Sequence, residues 1–132
     1  MNARFLERLK IDYPEFRFKD GKKFAFRPPC TIVIGPEEPS DSLLLLHELG
    51  HAILKHYSFE TDAKRVKMER EAWDQARELC LKYEILYDED VVEREMDTYR
   101  DYLDKKSRCP KCGLTRFQTP DGAFHCPQCD VY

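Results

Sequence analysis

The sequence predicts an α+β fold: a small N-terminal antiparallel sheet, a helical core, and a C-terminal tail stapled by cysteines. Three observations carry this. Short alternating and β-branched runs fill residues 16–34, an H-E-x-x-H pattern sits in a leucine-rich stretch, and two C-x-x-C pairs lie near the end. At 132 residues and 42% apolar content, the chain can build one small core with an appendage. The expected division is a core domain over 1–106 and a tail domain over 107–132. A charged fraction of 36% and a net charge of −3 predict a soluble protein with no global pull toward nucleic acid. Arg4, Glu7, Arg8 and Lys10 interrupt the apolar residues at the start, and no long apolar run follows. No signal segment and no membrane partner are expected, and the expected location is the cytoplasm.

The elements follow in order. Phe5, Leu6 and Leu9 fall on one side of a short helix over residues 2–10. Phe16-Arg-Phe18 and Phe24-Ala-Phe26 alternate around Asp20-Gly21, which reads as a hairpin. Pro28-Pro29 breaks the pattern, and Cys30-Thr-Ile-Val-Ile34 reads as a further strand stopped by Gly35-Pro36. Ser40 or Asp41 can cap the next helix, expected to end near Tyr57.

That helix carries His47-Glu48-Leu49-Gly50-His51. Residues four apart share one face of a helix, so His47 and His51 can bind one zinc ion together. Glu48 stands beside them, where it can take a proton from an attacking water. Gly50 is a poor helix former, and its expected role is to keep space open near the metal. The plainer alternative is a buried helix whose two histidines bond to other core groups.

A second helical pattern runs from about Asp62 to Tyr87. Glu69, Ala72, Trp73, Ala76, Leu79, Cys80 and Tyr83 form its apolar stripe, and Glu71, Asp74, Gln75 and Glu78 lie opposite. Glu69 and Glu71 are both placed along the chain to be a third zinc ligand. Only Glu69 lies on the buried stripe, where a carboxylate needs a partner or a metal, so Glu69 is the expected ligand. Ala72 and Ala76 would let this helix approach the first closely. A third helix, about Asp90 to Lys106, turns Val92, Met96, Tyr99 and Leu103 to the same core. Asp97 is expected to be solvated or ion-paired, with a hydrogen bond to a zinc-bound histidine as the alternative.

In the tail, Cys109-Pro-Lys-Cys112 and Cys126-Pro-Gln-Cys129 flank a stretch containing Pro120-Asp-Gly122. Four thiolates in two turns bind one zinc tetrahedrally, and a hairpin between them makes a zinc ribbon. The tail holds too few apolar residues to fold without metal. A redox dithiol is the alternative, but no βαβ context accompanies the cysteines. Cys30 and Cys80 read as small buried side chains.

With His47-Glu-Leu-Gly-His51 and Glu69-Arg-Glu-Ala72-Trp73-Asp-Gln-Ala76 in hand, residues 24–85 resemble the ImmA/IrrE family of zinc metallo-endopeptidases. Those proteins pair H-E-L-G-H with a downstream helix of the form E-x-x-A-(N/D/W)-x-x-A. The resemblance implies a zincin-like core of the gluzincin type, in which His47, His51 and Glu69 bind a catalytic zinc and Glu48 is catalytic. It also implies a protein or peptide substrate, with a transcriptional regulator as one candidate, since several family members act on helix-turn-helix repressors. The ribbon is not part of the usual family core. SprT-like proteases also join H-E-x-x-H to a zinc ribbon, but they use a third histidine well downstream. Here His56 lies too close along the expected helix, and His125 belongs to the ribbon.

The expected chemistry is zinc-dependent hydrolysis of peptide bonds. Three protein ligands leave one position for water, and Glu48 is the general base. His56, Tyr57 and Tyr87 are candidates for stabilising the oxyanion. The expected metals are two Zn2+ ions, one catalytic and one structural at Cys109, Cys112, Cys126 and Cys129. The rival reading is a non-catalytic module whose ribbon contacts protein or nucleic acid. Lys105, Lys106, Arg108, Lys111 and Arg116 outnumber Asp121 and Asp130 there, with Phe117 and Phe124 nearby.

Overall fold

The computed structural model describes residues 1–129. Asp130, counted above among the charges of the tail, lies outside the described residues. Among the described residues the fold mixes four helices with two small sheets. Helix α1 spans Ala3–Asp12, capped by Asn2, whose side chain accepts from the Arg4 amide. It buries Phe5 and Leu9.

Strands β1 (Arg17–Asp20), β2 (Ala25–Arg27) and β3 (Thr31–Ile34) form one sheet in the order β1-β3-β2. This corrects two expectations. The alternating runs do not pair as a hairpin, and the sheet is not purely antiparallel. β3 enters between them, parallel to β1 and antiparallel to β2. The physical reason is burial. Ile32, Val33 and Ile34 are buried, whereas β1 and β2 carry no buried residue and suit the edges. The turn at Gly21 lies against Val33 and donates its amide to the Ile34 carbonyl, so the reversal bends over the central strand.

Helix α2 spans Asp41–Ile53. Ser40 is its N-cap residue but makes no side-chain capping bond, and Asp41, the first residue of the helix, instead has its carboxylate 3.1 Å from the Met1 amino group, which corrects the expected side-chain cap. The helix stops before Tyr57, because Lys55 takes a left-handed conformation with φ 57°. The chain folds back there, and the His56 amide donates to the His51 carbonyl at 3.0 Å. Helix α3 spans Asp62–Tyr83, ending at Glu84 with φ 58° rather than continuing to Tyr87. Its buried residues include the expected stripe, from Glu69 through Ala72, Trp73, Ala76, Leu79 and Cys80 to Tyr83. Helix α4 spans Glu89–Ser107 and is capped by Asp88, which accepts from the Asp90 and Val91 amides.

The core lies between the sheet and the helices and is built from Leu9, Ile32, Leu45, Leu46, Leu49, Trp73, Ala76, Val92 and Met96. Gly50 sits at the closest approach of α2 and α3. A Cβ there would lie 2.7 Å from the Ala72 carbonyl oxygen. Gly50 therefore brings the two helices together, which corrects the expectation that it holds space open at the metal.

The tail forms a two-stranded antiparallel sheet, β4 (Phe117–Gln118) with β5 (Phe124–His125). It meets the core at the start of α3. Gln118 accepts from the Asp62 amide at 2.5 Å and donates to the Asp62 carboxylate at 3.1 Å. Lys106 lies 2.9 Å from the same carboxylate. No helix among the described residues is long and apolar enough to cross a membrane.

Candidate functional site

α2 presents His47 and His51 one turn apart, and α3 presents Glu69 opposite them. The His47 Nε2 and His51 Nε2 atoms lie 3.2 Å apart. Glu69 Oε2 is 2.9 Å from the first and 3.2 Å from the second. All three residues are buried, and their ligand atoms form a group that could hold a metal ion. Glu71 lies on the exposed side of α3.

The electrostatics agree with a ligand set. Burial lowers the pKa of His47, which favours the neutral ring that a metal requires. Burial would raise that of Glu69, but hydrogen bonds from His47 and His51 outweigh it and hold the carboxyl at about 2. A cation at the centre of this triangle would engage the facing lone pairs of all three groups at once.

The two histidines are oriented differently. His47 stacks on Trp73, with ring centroids 3.9 Å apart and planes 24° apart, and its buried Nδ1 has no hydrogen-bond partner among the described residues. His51 is tied through its other nitrogen, with Nδ1 2.9 Å from His56 Nδ1.

Glu48 projects from α2 into the same cleft, a depression of about 750 Å³ lined also by Phe26, His56, Tyr57, Arg65 and Tyr99. Burial pushes the Glu48 carboxyl up to about 7. The Glu69 charge adds to this, while His51 and a hydrogen bond from the Phe26 amide oppose it. β2 thus forms one wall of the cleft, with its backbone against Glu48.

Of the three candidates for oxyanion stabilisation, His56 and Tyr57 line the cleft and Tyr87 does not. Tyr87 meets Trp73 edge-on at 6.5 Å and carries the Arg77 guanidinium over its ring. The connection after α3 takes Tyr87 there, because that helix ends at Tyr83 instead of carrying it onward. Sequence reasoning missed Tyr99, which it placed only in the apolar stripe of α4. Burial and the neighbouring Glu69 carboxylate push its phenol up to about 12. The signal was available: a tyrosine on a buried stripe requires something polar for its hydroxyl. Asp97 is exposed and paired with Arg100 at 3.2 Å, away from the histidines.

The four tail cysteines form a second group. Cys109 Sγ lies 3.8 Å from Cys129 Sγ, and Cys112 Sγ lies 3.6 Å from Cys126 Sγ. Backbone turns build the group. The Gly113 amide donates to the Cys109 carbonyl at 2.9 Å, with Gly113 at a φ of 77° that only glycine adopts freely. Hydrogen bonds from the Cys112 and Lys111 amides pull the Cys109 thiol down to about 6, while its contact with Cys112 pushes the Cys129 thiol up to about 12, so the crowded sulfurs share their protons unequally. Cys80 is buried in the core and Cys30 is half-buried, both apart from this group.

In comparisons with protein-family models, curated proteins and solved structures, nothing matches this chain.

Proposed function

We propose that the protein is a zinc-dependent metallo-endopeptidase that hydrolyses peptide bonds, as its resemblance to the ImmA/IrrE family implies. The observation that carries this reading is the convergence of His47, His51 and Glu69 beside a cleft that also holds Glu48. Zinc fits the donor separations. With bonds of roughly 2.0–2.1 Å to nitrogen or oxygen, tetrahedral ligands stand about 3.3 Å apart. The three contacts of 2.9–3.2 Å approach that value. With zinc–sulfur bonds of about 2.3 Å the corresponding edge is about 3.8 Å. The sulfur separations of 3.6 and 3.8 Å agree. One zinc is assigned to each group, catalytic in the cleft and structural in the tail.

Held by His47, His51 and Glu69, a zinc ion would supply Lewis acidity for a carbonyl and a lowered pKa for water. The chain's own residues supply the rest. Glu48 accepts the proton of the attacking water at its carboxylate and returns it to the leaving amine. Its place against the Phe26 amide holds it at the cleft wall. His56, Tyr57 and Tyr99 line the space where a carbonyl oxygen gains charge, and each offers a donor. Trp73 keeps His47 in place and excludes water from its buried side.

The test compares wild type with Glu48→Gln for metal content and for cleavage of cell-extract proteins. The expected result is two zinc ions per chain in both and cleavage only by wild type. Equal cleavage by both proteins, or fewer than two ions in wild type, would overturn the reading.

A further inference from the structure

Metal-binding histidines are nearly always held by a hydrogen bond at their other ring nitrogen, which fixes tautomer and orientation. The two histidines here differ in this respect. His47 Nδ1 is buried without a partner among the described residues, and the ring stacks on Trp73. His51 Nδ1 has one partner, His56 Nδ1 at 2.9 Å.

We propose that His56 is a positioning residue for the metal centre, accepting the Nδ1 proton of His51 and so fixing the His51 ring with its Nε2 lone pair toward Glu69 and the cation. This rests on the metal reading above.

The proton positions follow from the geometry. His51 Nε2 faces His47 Nε2 and Glu69 Oε2, so a ligand role requires that this nitrogen carry no proton. The proton of a neutral His51 ring then sits on Nδ1. At 2.9 Å from that atom, His56 Nδ1 is the acceptor, which places the His56 proton on its Nε2. The fold is built to hold this arrangement. α2 stops at Ile53, Lys55 turns left-handed, and the His56 amide bonds back to the His51 carbonyl. Had the helix continued, residue 56 would lie about 140° around the axis from residue 51 and more than a turn along it, and the two rings would not meet through Nδ1. The backbone bond and the side-chain contact therefore tie the same pair of residues together twice.

The position also explains why His56 is not a third histidine ligand in place of Glu69. Its Nδ1 is engaged with the outer nitrogen of His51, on the opposite side of that ring from the Nε2 triangle.

The test uses the full chain and zinc itself, with affinity read by competition against a chromophoric chelator. Three proteins are compared: wild type, His56→Phe and His56→Asn. Phe keeps a flat ring and has no acceptor, whereas Asn sets a carbonyl oxygen close to where the imidazole Nδ1 lies. His56→Phe is expected to weaken the cleft zinc by about 10- to 100-fold. The tail zinc should remain, and His56→Asn should recover most of the loss. Nitrogen-15 NMR of the ring nitrogens of zinc-loaded wild type should show the proton of His51 on Nδ1 and that of His56 on Nε2. A role in packing alone would leave Asn no better than Phe, and that result overturns the proposal, as does a His51 ring protonated on Nε2 in the loaded protein. If wild type binds zinc only at the tail cysteines, the metallopeptidase reading falls and this proposal with it. If wild type binds two ions and His56→Phe holds both as tightly, only the positioning role falls.

Discussion

Glu69 is the residue on which the cleft turns. It is buried, its carboxylate contacts both histidines, and its neighbour two positions on, Glu71, faces solvent. Glu69→Ala should therefore release the cleft metal and leave two histidines without their charge partner, whereas Glu71→Ala should change stability by less than about 0.5 kcal/mol. Elemental analysis of the two variants checks this, and the opposite pattern would mean that Glu71 is the ligand. A second residue-scale prediction concerns Tyr83, whose hydroxyl donates to Asp12 at 2.5 Å and joins α3 to the end of α1. Burial and this bond raise the Tyr83 pKa above the ordinary tyrosine value. A folded-state pKa above the unfolded one means that the folded protein holds the proton more tightly. The stabilisation is thus complete below about pH 10, the unfolded value, and is lost as pH rises through the folded one. Tyr83→Phe should cost about 1 kcal/mol at neutral pH. Urea unfolding should show the gap between the two proteins unchanged from pH 7 to about 9 and narrowing above about 10. A constant gap at all pH values would show that the phenolic proton has no part in it.

At the scale of elements, the contact of α2 with α3 sets the geometry of the His47, His51 and Glu69 group, because each helix brings part of it. Gly50 allows the approach, and Ala72, one turn beyond Glu69, receives it. Gly50→Ala should raise helix propensity by about 1 kcal/mol. Its Cβ would meet the Ala72 carbonyl oxygen at 2.7 Å, and a backbone atom cannot rotate away. The clash should win, with a net loss of about 1–3 kcal/mol. The helices must also separate, so Glu69 should draw back from His47 and His51 and zinc affinity in the cleft should fall. Unfolding and chelator competition on this variant test both parts. A more stable variant with unchanged zinc affinity would show that the helices can separate without disturbing the ligands.

At the scale of the whole molecule, the tail touches the core through the polar contacts of Gln118 with Asp62 and of Arg116 with the Lys106 and Ser107 carbonyls at the end of α4, and among the described residues its strands β4 and β5 pair with each other. Truncation near Lys106 should leave a chain that folds and binds one metal in the cleft, since α2, α3 and most of α4 remain. The loss of the two Gln118 bonds and of the Arg116 bond to the Lys106 carbonyl should cost about 3 kcal/mol, at the net value of an ordinary hydrogen bond for each. Thermal melting and metal analysis of the truncated chain measure this. A truncated chain that does not fold, or that holds no metal, would show that the tail is part of one core with the cleft.

Much of this molecule was legible in the order of its residues. Periodicity placed Glu69 on the buried stripe of α3 because a helix repeats every 3.6 residues wherever it packs, and the four-residue spacing of His47 and His51 holds on any helix. The cysteine pairs were legible for a similar reason, since two short turns carry their own geometry. The rest depended on which surfaces meet. The insertion of β3 between β1 and β2 depended on competition for the buried centre of the sheet, which alternation in β1 and β2 does not express. The role of Gly50 depended on a carbonyl of another helix. His56 met His51 only because α2 ended at a left-handed lysine, and Tyr99 met Glu69 only because α4 packed beside α3. Helix period and ligand spacing are properties of a segment and can be read along it. Strand order, helix approach and the partners of a ring nitrogen are properties of contacts between segments, and the tertiary structure alone decided them.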